Sequence, residues 1–159
     1  MAQIKIITVG RLKEQYWLAA QAEYLKRLRP YLKLELVEVA DLPAPERMSP
    51  AEAEQLKRRE GEQIARCLDP KDYLVTLDPG GKQFSSEELA DFLKERELNA
   101  DNLALVIGGS LGIAAALIEK ARLRLSFSRL TFPHQLFRVM LLEQVYRACK
   151  IGRGEPYHK

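Results

Sequence analysis

Three short turns hold most of the residues in this chain that could do chemistry. Ile107-Gly108-Gly109-Ser110-Leu111-Gly112 closes one apolar run, and Leu77-Asp78-Pro79-Gly80-Gly81 closes another. Phe127-Ser128-Arg129-Leu130-Thr131-Phe132-Pro133-His134 follows a third. Glycine lacks a Cβ, so main-chain N–H and C=O groups in such turns can approach a ligand closely. Leu and Phe side chains beside them can sandwich an aromatic base. Amides between greasy walls suit adenine better than a phosphate.

Several familiar signatures fail. Gly81-Lys82 lacks the earlier glycine of a phosphate-binding loop, because Thr76 stands in its place. The glycine turn at 108–112 is not GxGxxG and follows the fourth strand rather than the first, against conventional dinucleotide binding. His134 and His158 have no metal-ligand spacing, and no metal is expected. Cys67 and Cys149 lie far apart without CxxC spacing, which indicates neither a disulfide framework nor a zinc site. Cys149 with His158 as a thiol nucleophile and base is disfavoured, since Cys149 falls in an apolar helix.

The elements that must position these turns alternate. Strands are predicted at Gln3 to Val9, Leu34 to Val39 near a sheet edge, Tyr73 to Leu77, Leu103 to Ile107 at the centre, and Leu123 to Phe127. Helices are predicted at Glu14 to Arg29, from Ser49 as N-cap to Cys67, from Ser85 to about Glu97, at Ile113 to Ala121 and at Gln135 to Lys150. The second helix, rich in Glu, Lys and Arg, reads as mostly exposed. This order predicts an α/β fold, a parallel-dominated sheet with helices on both faces. Ligands of such sheets bind at the carboxyl ends of the strands, where the three turns converge. The last helix is apolar nearly all round and is expected to meet a second copy of the chain along one side.

The chain has 159 residues, 47% hydrophobic and 30% charged, the size and balance of one globular domain. No signal peptide or membrane span is expected, which points to the cytoplasm. The net charge is +3. Residues 120–159 hold nine Lys and Arg against two Glu, a local +7, leaving −4 on residues 1–119. That asymmetry suggests a polyanionic partner on the C-terminal side.

Taken in order, the Ile-Lys-Ile-Ile-Thr-Val-Gly start, Glu23-Tyr24, Gly61-Glu62, Leu77-Asp78, Ile107-Gly108-Gly109, Thr131-Phe132-Pro133-His134, Arg138, Tyr146-Arg147-Ala148 and the Pro156-Tyr157-His158 end resemble the RlmH family across the whole chain. These are SPOUT-class methyltransferases of large-subunit ribosomal RNA. The resemblance implies a single domain over 1–159, a C-terminal trefoil knot over about 102–150, a functional tail at 151–159 and a homodimer packed through the knot. It also implies S-adenosylmethionine as cofactor, with contacts carried over to Leu77, Gly108, Phe127, Ser128, Arg129, Leu130, Thr131 and Phe132. Ser110-Leu111 stands where relatives often have Pro-Glu or Ser-Asn, so a polar side-chain role there is not carried over.

The implied reaction is methyl transfer to N3 of a pseudouridine in a 23S ribosomal RNA stem-loop within the assembled ribosome. N3 must lose a proton, and a cation or donor nearby would stabilise the developing anion. His158 and Arg138 are the catalytic candidates, with Tyr157 as an orienting or stacking group. Arg122, Arg124, Arg129, Lys150, Arg153 and Lys159 are the candidates for RNA phosphates. Three other readings stay open: a SPOUT enzyme acting on tRNA or another rRNA site, a non-catalytic ribosome-binding factor, and a nucleotide-binding regulatory domain. The last is disfavoured by the missing phosphate cradle.

Overall fold

The computed structural model describes residues 2–159. The chain forms β1 (Ala2–Val9), α1 (Gln15–Leu28), β2 (Leu32–Val39), α2 (Pro50–Arg66), β3 (Tyr73–Gln83), α3 (Ser86–Leu98), β4 (Leu103–Ile107), α4 (Ala115–Lys120), β5 (Leu123–Ser126) and α5 (His134–Gly152). Five strands make one sheet in the order β2-β1-β4-β3-β5, every neighbouring pair parallel. All strand carboxyl ends therefore share one edge, with the predicted turns along it.

Side-chain alternation explains the layering. Leu103, Leu105 and Ile107 of β4 join Ile4 and Ile6 of β1 in a core against α1, α3 and α5. Ala104 and Val106, with Ile7 and Val9, face the other way onto α2 and α4. Successive residues of a strand point to opposite faces, so a strand covered on both sides reads as an unbroken apolar run. β4 is that case, buried at all five residues. β2 lies at the sheet edge, as expected.

Several boundaries differ from the sequence reading. β3 does not end at Leu77: Leu125 of β5 pairs with both Leu77 and Lys82, so Asp78–Gly81 loops out and the strand resumes. Gly81 permits this, since a Cβ there would fall 2.6 Å from the Arg124 carbonyl carbon. α4 is shorter than its apolar stretch, and Phe127 lies beyond β5 in the following loop. α5 begins one residue earlier and ends two later than expected, with Pro133 as N-cap.

Helix starts follow the sequence. Ser85 accepts from the Glu88 amide at 3.0 Å while the Glu88 carboxylate accepts from the Ser85 amide at 2.6 Å, a complete capping box. Ser49 caps α2 with one such bond, to the Glu52 amide at 3.1 Å. α2 is not exposed throughout: Glu60, Gly61 and Ile64 are buried.

Candidate active site

The three turns meet. A cavity of about 240 Å³ opens at the carboxyl edge of β3, β4 and the β5 loop. Leu77, Gly108, Phe127, Ser128, Leu130, Thr131 and Phe132 line it, so seven of the eight cofactor candidates come together. Arg129 does not: it is exposed and lies outside the wall. Asp78, Ser110, His134 and Phe137 also line it, none of them among the contacts carried over from the resemblance.

Local chemistry holds the walls. The Leu130 amide donates to Ser128 Oγ at 3.0 Å, and Ser126 Oγ donates to the Ser128 carbonyl at 3.0 Å, so two serines set the loop's curl. Phe127 and Phe132 pack on Phe137 of α5 with ring centroids 4.9 and 6.3 Å away. In the glycine turn the Gly112 amide closes on the Gly109 carbonyl at 3.0 Å. A Cβ on Gly108 would lie 2.7 Å from the Gly112 carbonyl oxygen, so the turn is this tight only with glycine there. Asp78 is neutralised by Arg124, whose Nε and Nη2 donate to it at 3.2 and 2.7 Å.

Behind the wall lies Glu60. It is 5% exposed, and a Cβ on Gly109 would meet its Oε1 at 2.9 Å. Burial first, then the like charge of Asp41, pushes its carboxyl above the ordinary 4.5. Nothing in a Glu-, Lys- and Arg-rich helix marks this glutamate as the buried one, beyond its place before Gly61.

The tail folds back along α5. Tyr157 Oη donates to Glu143 at 3.0 Å, and Arg147 donates to the same carboxylate at 2.6 and 3.1 Å. His158 is held at both nitrogens, Nδ1 3.1 Å from Arg147 and Nε2 2.9 Å from Glu87. Burial and the Glu143 carboxylate push the Tyr157 phenol up to about 12, so at neutral pH it is a donor. A second cavity of about 460 Å³ lies between α3, the end of β5 and α5; Glu143 and Gln144 line it, and Phe127 is a wall of both cavities.

Arg138 does not join the tail. Its side chain is 5% exposed and donates to Glu38 at 2.6 Å, Gln21 at 3.4 Å and the Gly10 carbonyl at 3.1 Å, tying α5 to α1, β1 and β2. A buried guanidinium whose two terminal nitrogens meet three partners in its own protomer, with only Nε left unpaired, reads as a brace.

The candidate RNA contacts split between two ends. Arg124 sits at the cavity edge on Asp78. Arg122 lies over the Tyr73 ring at 4.7 Å and Arg153 over Tyr31 at 4.6 Å, both near the amino ends of the strands. At about 1.5 Å per residue, α5 carries Lys150 and Arg153 some 25 Å from its start at the cavity. Lys150 donates to Glu155 at 2.8 Å, while Lys159 is exposed. Among the described residues no group of three or more His, Cys, Asp and Glu could hold a metal, and no helix is long and apolar enough to cross a membrane.

A family model described as "Predicted SPOUT methyltransferase" matches residues 2–158. The protein called ribosomal RNA large subunit methyltransferase H in Carboxydothermus hydrogenoformans is 51% identical over 158 residues, covering 99% of each chain. That of Symbiobacterium thermophilum is 53% identical over 160 residues, again with 99% of each covered. Among solved structures, a "probable methyltransferase" from Bordetella pertussis Tohama I shares the fold with a TM-score of 0.58 at 16% identity, over 93% of this chain and 95% of that one.

Proposed function

This chain belongs to the SPOUT methyltransferase family, and from that membership we propose that it is a cytoplasmic S-adenosylmethionine-dependent enzyme methylating N3 of a pseudouridine in the 23S rRNA of the assembled ribosome. The observation that carries the reading is the closure of three separate turns on one pocket in a chain about half identical, end to end, to ribosomal RNA large subunit methyltransferases.

The residues present fit the donor. Apolar walls at Leu77, Ile107, Phe127 and Leu130 suit the faces of an adenine, and the glycine turn leaves main-chain groups open to its polar edge. Asp78 is already neutralised, and no side chain offers a phosphate cradle. When bound, the donor supplies an electrophilic methyl group. The protein has to hold the two reactants in line and keep water out.

Tyr157, a donor fixed on Glu143, orients or stacks on the target base in this reading. His158 takes the N3 proton or, as a donor, stabilises the anion that develops there, once a ring nitrogen is released from Arg147 or Glu87. Arg138 moves from catalysis to bracing the carboxyl edge at Gly10. The reading includes a homodimer, supported by Leu136, Val139 and Met140 on α5, which stay half-buried in one protomer. It includes the knotted path over about 102–150 as well, with which the crossing of β3 by the connection from β4 to β5 is consistent.

Transfer of a labelled methyl group tests the proposal. Intact ribosomes should accept label that maps by mass to one pseudouridine, and free 23S RNA should accept far less. Deleting Tyr157–Lys159 should abolish transfer and leave donor binding intact. Label on tRNA, or undiminished turnover without the tail, would sink the assignment.

A further inference from the structure

Among the described residues, Glu60 is the one buried carboxylate at the donor pocket that lacks a partner. Its Oε1 is sealed from solvent with no hydrogen bond. Both carboxylate oxygens lie against Gly109, at 2.9 and 3.4 Å from where a Cβ would stand, and Gly109 lines the pocket. Glu60 has little room to withdraw. Gly61 lets α2 come so close that a Cβ there would sit 2.6 Å from Ala114 Cβ, just past the glycine turn. The other charges around the pocket leave Glu60 uncompensated. Asp41 is like-signed, Asp78 is closed by Arg124, and Arg138 is spent on Glu38 and Gly10. His134 lines the wall.

An isolated buried carboxylate is costly unless a cation reaches its surroundings. The methyl donor has such a charge at its sulfonium, and its spent form, S-adenosylhomocysteine, has a neutral thioether while sharing both other ends. We propose that Glu60 is a specificity-determining residue that separates the charged donor from the neutral product, acting across the backbone of Gly109. The inference rests on the reading of this pocket as a methyl-donor site.

The linkage has a definite sign. Burial favours the protonated carboxyl in the empty protein, and the sulfonium favours the carboxylate. Donor binding therefore releases a proton at pH values between the bound and free titrations, and affinity for the donor rises with pH through that window. Each unit by which the donor draws the titration down strengthens binding to the ionised protein about tenfold. The product has no sulfonium, so its affinity stays level over the same range.

Titration calorimetry in buffers of differing ionisation heat tests this on the full-length chain. S-adenosylmethionine should release protons and S-adenosylhomocysteine should release none. Glu60→Gln, of the same shape without the charge, should weaken the donor about tenfold, leave the product within about twofold and abolish the proton release. Equal losses for both ligands, or equal proton release with both in the unaltered protein, would overturn the proposal. Should the variant fail to fold, the comparison in the unaltered protein still decides. If the unaltered protein binds neither ligand, the donor reading itself has failed.

Discussion

Arg138 and Glu60 approach the carboxyl edge of the sheet from opposite faces, and their partners differ in a way that mutation can read. Arg138 is buried while Glu38 is 35% exposed, so the pair is asymmetric. Removing Glu38 strands a guanidinium in the interior, whereas removing Arg138 leaves a carboxylate that water can reach. Glu38→Ala should cost about 3 kcal/mol, and Arg138→Ala about 2 kcal/mol beyond its lost packing. Urea unfolding of both variants checks the order. Cys149 makes a second residue-scale prediction. Burial pushes its thiol up to about 11, so the nucleophilic thiolate is scarce in the folded protein until strongly alkaline pH. A thiol reagent at pH near 8 should label Cys149 in the folded protein only slowly and label it readily in denaturant. Folding favours the neutral thiol, so this contribution to stability is whole below the ordinary 9.0 and is lost as pH rises toward 11.

Elements succeed here where local chemistry and burial agree. Ser85 and Glu88 satisfy each other's amides at the head of α3, so Ser85→Ala should cost about 1 kcal/mol in the same unfolding assay. Such caps were legible in the sequence, as were the central β4, the edge position of β2 and the convergence of three turns, because each follows from short-range pattern. The second half of β3 was not legible. Asp78-Pro79-Gly80-Gly81 has the composition of a turn, and only the pairing of Leu125 with both Leu77 and Lys82 extends the strand past it. The buried charges were hidden for a related reason. Helical periodicity ranks faces by apolar content, so an arginine or glutamate turned inward to meet main chain registers as surface. Glu60 was read into an exposed helix, and nothing in the sequence showed that Arg138, a catalytic candidate, donates to the Gly10 carbonyl.

At the scale of the molecule, the half-buried apolar residues of α5 make oligomeric state the informative measurement. Val139→Glu should turn a dimer into a monomer in sedimentation at micromolar concentration, because a carboxylate in a closed interface is desolvated without a partner. Donor affinity should fall less than methyl transfer if each pocket is built within one protomer. The basic residues make a separate prediction. Arg153 and Lys159 are exposed, and replacing both with Ala should weaken ribosome binding and reduce the slope of log affinity against log salt by about 2. An unchanged slope would place the RNA elsewhere.

The strand order also sets a timetable for the nascent chain. β1 sits between β2 and β4, with Ile4 opposite Leu103 and Ile7 opposite Val106. During translation the first strand gains one neighbour early, and the other is made roughly a hundred residues later, about 5–20 s at ordinary elongation rates. Until then the flank of β1 that will receive β4 has no mate, and loop closure over that separation is slow. Fragments ending before β4 should therefore precipitate or recruit chaperones, and cooperative folding should switch on only once the central strand has cleared the exit tunnel.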